Sequence, residues 1–244
     1  MRKLVAIGAL GLAAACSAGA QTSGAQGQRS FEVGAFQSVS LEGSHDVVVT
    51  VGGAPSVRAE GSQEMLDRLD IRVENGALRI GTERGNWNWF GSSGRVTVYV
   101  TAPALQAASI GGSGDMRIDR VESQRFAASI AGSGDMQIGA LRAGQARFDI
   151  AGSGGIRAAG AAEAAEISIA GSGDVALNDL QARRARVSIM GSGNVALQAS
   201  ETVEGSIMGS GDVNVRGGAR CTVSKMGSGD VNCGGGESGR TTAD

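Results

Sequence analysis

Through the second half of the chain, apolar and polar residues alternate around a recurring Gly-Ser-Gly. Its copies begin at Gly112, Gly132, Gly152, Gly171, Gly191, Gly209 and Gly227, a period of 18 to 20 residues. Two residues before each copy stand Ile110, Ile130, Ile150, Ile169, Ile189, Ile207 and finally Lys225. Two further back are Ala108, Ala128, Phe148, Ile167, Val187, Gly205 and Val223, with a Ser or Asp between the two columns. After the corner come Met116, Met136, Ile156, Val175, Val195, Val213 and Val231. Alternation with period two on both sides of a fixed corner predicts strands with one buried face.

A fixed short period predicts a repeat architecture. Twenty residues are too few for a βαβ unit, which needs about 30, but they suit one coil of a solenoid. The expected class is all-β: a single-stranded parallel β-helix or β-solenoid with coils of about 20 residues, right-handed by the usual rule for parallel crossovers. Coils stacked about 4.8 Å apart would make seven of them a rod roughly 30 Å long. Within each repeat the pattern predicts strand, tight corner, strand, then a looser return such as Asn178–Ala182. Residues 31–105 carry longer alternating runs at Val47–Val51, Leu69–Val73, Ala77–Ile80 and Val96–Thr101. Asn75-Gly76 between two of them is a hairpin signal. This β-rich part is expected to be continuous with the repeats at 106–235, because the strand ending at Pro103 leads into the first repeat.

Composition narrows the picture. The chain has 244 residues, 22 basic against 24 acidic, which argues against a nucleic-acid partner. Glycine accounts for 41 residues and aromatics for 3%, so the core must be narrow and built from Ile, Val, Leu, Met and Ala. Arg2 and Lys3 followed by the apolar run Leu4–Ala15 predict a signal peptide over 1–20. Two exits are open. Ala18-Gly19-Ala20 suits cleavage before Gln21, and Leu12-Ala13-Ala14-Ala15-Cys16 resembles a lipobox with Cys16 lipidated and the signal ending at 15. Both predict an exported protein of the periplasm, outer membrane or cell surface. Residues 21–30 read as a flexible tether and 236–244 as a disordered tail.

Over about residues 31–235 the chain resembles the bacterial head GIN domain family, named for an autotransporter adhesin head. The resemblance rests on the run Phe36–Leu41 with the Val47–Val51 strand, on Leu69–Ile80, on Val96–Leu105 and on the Gly-Ser-Gly-Asp repeats. It implies a β-solenoid domain exported to the cell envelope and no catalytic residues. An autotransporter reading would further need heptads and a membrane barrel, neither of which is expected here.

The polar columns offer candidate chemistry. The position after each corner reads Asp115, Asp135, Gly155, Asp174, Asn194, Asp212, Asp230. Stacked carboxylates repel by less than about 1 kcal/mol per pair in water, and calcium would relieve that. The Gly and Asn interruptions suit a turn that favours short polar residues. The corner serines, Ser113 to Ser228, have no repeated base beside them, so a hydroxyl ladder is expected rather than a row of nucleophiles. The only histidine, His45, is expected at a surface turn. No phosphate-loop spacing occurs. Trp87, Trp89 and Phe90 form an aromatic cluster in an aromatic-poor chain, suited to gripping a ligand or to covering an open edge.

Cys221 and Cys233 each lie six residues from Gly227, on positions that face inward in other coils. They are expected to bridge across the last coil, the alternative being two separate buried thiols. The functional expectation is a non-enzymatic envelope protein without a cofactor, which binds, adheres or scaffolds. Its partner would be an envelope protein or a glycan, and any membrane contact would come through the lipid anchor alone. The alternatives are a polysaccharide-active enzyme on a β-helix scaffold and a calcium-binding repeat protein.

Overall fold

A computed structural model describes residues 26–83 and 95–234. They form a β-solenoid of about six turns with coils of about 20 residues. The N-terminal part contributes β1 (Gln26–Phe31), β2 (Ser38–Gly43), β3 (Asp46–Val51), β4 (Ser56–Ser62), the short helix α1 (Gln63–Asp67), β5 (Leu69–Glu74), β6 (Ala77–Thr82) and β7 (Thr97–Ala102). The repeats follow as β8 (Ala107–Gly112), β9 (Met116–Gly132), β10 (Asp135–Gly152), β11 (Gly155–Gly171), β12 (Asp174–Gly191) and β13 (Val195–Gly209). The last coil is split into β14 (Val213–Arg216), β15 (Arg220–Gly227) and β16 (Val231–Cys233).

Each repeat lies parallel and in register on the next. Ile150 sits between Ile130 and Ile169, and Gly152 between Gly132 and Gly171. Buried positions in β10 show how a coil closes. Met136 and Ile138, then Leu141 and Ala143, then Ala146, Phe148 and Ile150 face inward, so spacing two is broken at Gly139-Ala140 and at Gly144-Gln145. Those breaks, with the Gly-Ser-Gly corner, turn the chain three times per coil. The expected loose return is instead strand. β12 runs unbroken from Asp174 to Gly191, and Leu180 and Ala182 are buried. Neighbouring coils supply backbone partners there, and only a register shift marks the turn.

The narrow core is kept full by exchanging large and small residues between adjacent columns. Phe126 stacks on Ala146, while Ala128 stacks on Phe148. One coil therefore reads large-then-small and the next small-then-large, which keeps the cross-section nearly constant.

The order of coils departs from the order of the sequence. β8 stacks on β2, not on β7, and β3 stacks between β7 and β9. The strand that ends before Pro103 is thus one coil removed from the first repeat, with β2 and β3 inserted between. Their junction, Gly43-Ser44-His45, is an eighth corner: Gly43 pairs with Gly112 and has φ 128°. The Asn75-Gly76 hairpin forms as expected, with φ 51° and 76° between β5 and β6.

The end of the rod is closed by antiparallel strands. β4 pairs with β7, and β1 pairs with β4. Residues 26–30, expected in the tether, therefore belong to β1. An open sheet edge needs a partner or a cover, and this segment supplies one, with Leu66 of α1 fully buried beside it. The opposite end is closed by the disulfide between Cys221 and Cys233, whose Cα atoms are 6.6 Å apart. Both cysteines continue inward columns, Cys221 on Val203 and Cys233 on Val215. The signal segment with Cys16, the tail 236–244 and the cluster Trp87, Trp89 and Phe90 lie outside the described residues.

Candidate functional site: the corners and the outer groove

The corner row is held by backbone. Ser133, Ser153 and Ser172 donate their amides to Gly112, Gly132 and Gly152 carbonyls, each at 2.9 Å. None of the corner serine hydroxyls bonds another described residue, so the expected hydroxyl ladder is an amide ladder. The reason is geometric: the serine side chains stand exposed at the apex while their N–H groups point along the rod. The second glycine of each corner is set by two neighbours. A Cβ at Gly154 would overlap the Gly134 carbonyl oxygen and lie 2.9 Å from Cγ2 of Ile130. The Ile column therefore packs against the next corner as well as filling the core.

The acidic column serves the same scaffold. Asp115 accepts the amide of Asp135 at 3.0 Å, Asp135 that of Gly155 at 2.9 Å, and Asp174 that of Asn194 at 3.0 Å. Asn194 and Asp212 continue the row to the amides of Asp212 and Asp230, at 3.2 and 2.8 Å. Where Gly155 has no side chain, the amide of Asp174 turns to the Gly154 carbonyl at 3.2 Å. The carboxylates of Asp115, Asp135, Asp174 and Asp212 are thus spent on the backbone of the following coil, while Asp230, in the last coil, lies 4.0 Å from Lys225 Nζ. Among the described residues no group of three or more His, Cys, Asp or Glu is placed to hold a metal.

His45 is not at the surface. Its side chain is 3% exposed, and Nε2 lies 3.0 Å from Thr82 Oγ1, within hydrogen-bond distance. It occupies the place of the second corner glycine. Glycine is forced at the later corners because a preceding corner blocks the Cβ. Among the described residues no glycine corner lies below His45, and its ring meets Thr82, the last residue of β6. Burial lowers its pKa below 6.5, with Asp46 opposing the shift more weakly. The unfolded chain then binds the proton more readily, so stability is complete above about pH 6.5 and falls as the pH drops toward the folded-state pKa. His45→Gln should flatten that loss. The comparison is urea unfolding at about pH 7.5 and 5.5, and an unchanged pH difference in the variant would assign it to other groups.

One outer face carries a groove of about 1020 Å³ that crosses β8 to β13. Gln37, Gln106, Arg125, Gln145, Arg184 and Thr202 contribute to its wall. These are the outward residues that alternate with buried Phe126, Ala146 and Ala185. Arg147 is committed to Asp149 at 2.7 Å and to Glu166 at 2.8 Å, and Arg186 to Glu204 at 3.0 Å. Arg125 and Arg184 have no carboxylate partner among the described residues. They share one column, three coils apart through Gln145 and Ala164, or about 14 Å by the stacking distance. Each also lies seven residues before the first glycine of its corner, Gly132 and Gly191, so the signal for a shared column is present in the repeat itself.

Comparison with known proteins agrees with the geometry. The profile of the family described as "Putative auto-transporter adhesin, head GIN domain" matches residues 35–219. The fold is shared with a crystal structure of a "putative adhesin" from Bacteroides fragilis, at TM-score 0.76 and 19% identity, over 85% of this chain and 96% of that one. It is shared also with a "putative lipid binding protein" from Parabacteroides distasonis, at TM-score 0.70 and 24% identity, over 86% and 97% of the two chains. A "putative adhesin" from Parabacteroides merdae aligns at TM-score 0.68 and 16% identity, over 86% and 96%. No curated protein matches the chain.

Proposed function

Because the chain belongs to the head GIN domain family, we propose that it is a non-enzymatic binding module, exported to the cell envelope, whose groove holds an extended, negatively charged glycan. The observation that carries this reading is the pair Arg125 and Arg184. Two guanidiniums without carboxylate partners among the described residues stand in one column along the groove, and guanidinium forks suit carboxylate and sulfate groups. The glutamines between and beside them supply both donors and acceptors for hydroxyls. A rigid, in-register face suits a repeating ligand, since each coil presents the same spacing to the next unit. Export is supported by the Arg2-Lys3 and Leu4–Ala15 segment, and anchoring by the lipobox-like run to Cys16. Mass spectrometry of the mature N-terminus reads the anchor, and an unmodified start at Gln21 removes it.

The groove is tested by binding to a panel of acidic and neutral polysaccharides. Acidic chains should bind, with affinity falling as salt rises. Arg125→Ala combined with Arg184→Ala should weaken binding about tenfold or more without altering the circular dichroism. Equal binding by the double variant, or a preference for neutral chains, would sink the reading.

A further inference from the structure

Among the described residues the exposed large hydrophobic side chains are three, and all are methionine: Met190, Met208 and Met226, exposed by 58%, 54% and 65%. They form one column. Met190 pairs in register with Met208, and Met208 with Met226, immediately before three successive corners. The same column in earlier coils holds Ala131, Ala151 and Ala170. The fold therefore does not need a long side chain there. If the column served only to present apolar surface, Leu, Ile or Val would do, and these fill the interior. What methionine alone adds is a thioether sulfur.

We propose that the methionine column is a binding site for a soft monovalent cation, Cu(I) in chemical class. Thioether and thiolate ligands select such ions over the hard cations that carboxylates take. Adjacent rungs are about 4.8 Å apart. Metal–sulfur bonds are about 2.3 Å, so two of them in line span about one rung, and one ion fits between two stacked methionines. The column's outward neighbours are Ser188, Ser206 and Ser224, which add no carboxylate that would favour a hard ion. Lys225 stands beside Met226, with Nζ donating to the Gly229 carbonyl at 2.8 Å. That ammonium, 4.0 Å from Asp230 Oδ1, is nearest to Met226, so the ion is placed at the pair farther from it, Met190 and Met208. The site is separate from the groove and does not depend on the glycan reading.

Ag(I) is the probe, since it shares the closed shell of Cu(I) and needs no reductant that would open the Cys221–Cys233 disulfide. The full chain is used with Cys16→Ser, so that no thiol competes. Calorimetry should give one Ag(I) per chain. Methyl resonances of labelled methionine should shift at Met190 and Met208, while buried Met116 and Met136 stay in place. Met208→Leu keeps the apolar volume and should weaken binding about tenfold or more, with an unchanged thermal midpoint. Met226→Leu should have the smaller effect. Failure of the parent chain to bind Ag(I), or equal affinity in the Met190→Leu, Met208→Leu double variant, would overturn the site. So would concentration-dependent self-association of a parent chain that binds no Ag(I), retained in the leucine variants, because the column would then be an apolar contact.

Discussion

Ile150→Asp should leave no folded protein at room temperature, whereas Ser153→Ala, three residues away, should be nearly silent. Ile150 is 3% exposed and is stacked between Ile130 and Ile169. Its Cγ2 also packs where the Cβ of Gly173 would lie, so it supports the corner of the following coil. A carboxylate in that place would face isoleucine on both rungs, with no cation among the inward residues of its coil. Substitutions that bury an unpaired charge belong to the small class costing more than about 4 kcal/mol. In a solenoid the damage is not confined to one coil, because each coil is stable only against its two neighbours. Ser153 is exposed and its hydroxyl bonds no described residue; the amide that matters, donated to Gly132, survives the change to alanine. A cost of about 0.5 kcal/mol or less is expected. Comparable losses of thermal midpoint in the two variants would reverse the inside and outside assignment of the third strand run.

Most of the solenoid was legible because its physics repeats. Period-two alternation around an identical corner states which residues face inward, and seven copies remove the ambiguity that one strand would carry. The Cys221 and Cys233 columns followed from that register alone. The eighth corner was not legible, because Gly43-Ser44-His45 lacks the second glycine and stands nearly 70 residues before the next copy. Its membership of the stack depends on β2 and β3 being inserted between β7 and the first repeat, and no local signal announces that order. His45 was misplaced for the same reason: a polar residue beside a turn reads as exposed unless its stacking on Thr82 is known. The groove arginines were hidden differently. Arg125 and Arg184 both stand seven residues before their corners, but Gln145 and Ala164 fill the rungs between, so no repeated basic position shows, and the groove beside them is seen only in three dimensions. The acidic column was legible as a turn position, but not the direction of its bonds, from each carboxylate to the amide of the coil that follows.

Gly152→Ala should destabilise the protein far more than Gly43→Ala, although both glycines hold nearly the same backbone. Gly152 has φ 133° and Gly43 φ 128°, a region in which side chains are strained. That shared strain costs about 1–3 kcal/mol. The two sites differ in what lies beneath. A Cβ at Gly43 meets none of the described residues within 4 Å, whereas at Gly152 it would overlap the carbonyl oxygen of Gly132. That oxygen cannot move aside freely, since it accepts the Ser153 amide at 2.9 Å and the Gly154 amide at 3.2 Å. Relief requires two coils to separate at the corner, which breaks those bonds and lifts Ile130 from Gly154. Each lost backbone bond with a buried group left unpaired costs about 1–3 kcal/mol, so the clash should at least double the effect of strain alone. Urea unfolding of both variants measures the difference directly. Equal free-energy losses would mean that the corner glycines are selected for their dihedral angle only, and that the stacking distance at the corner is free to relax.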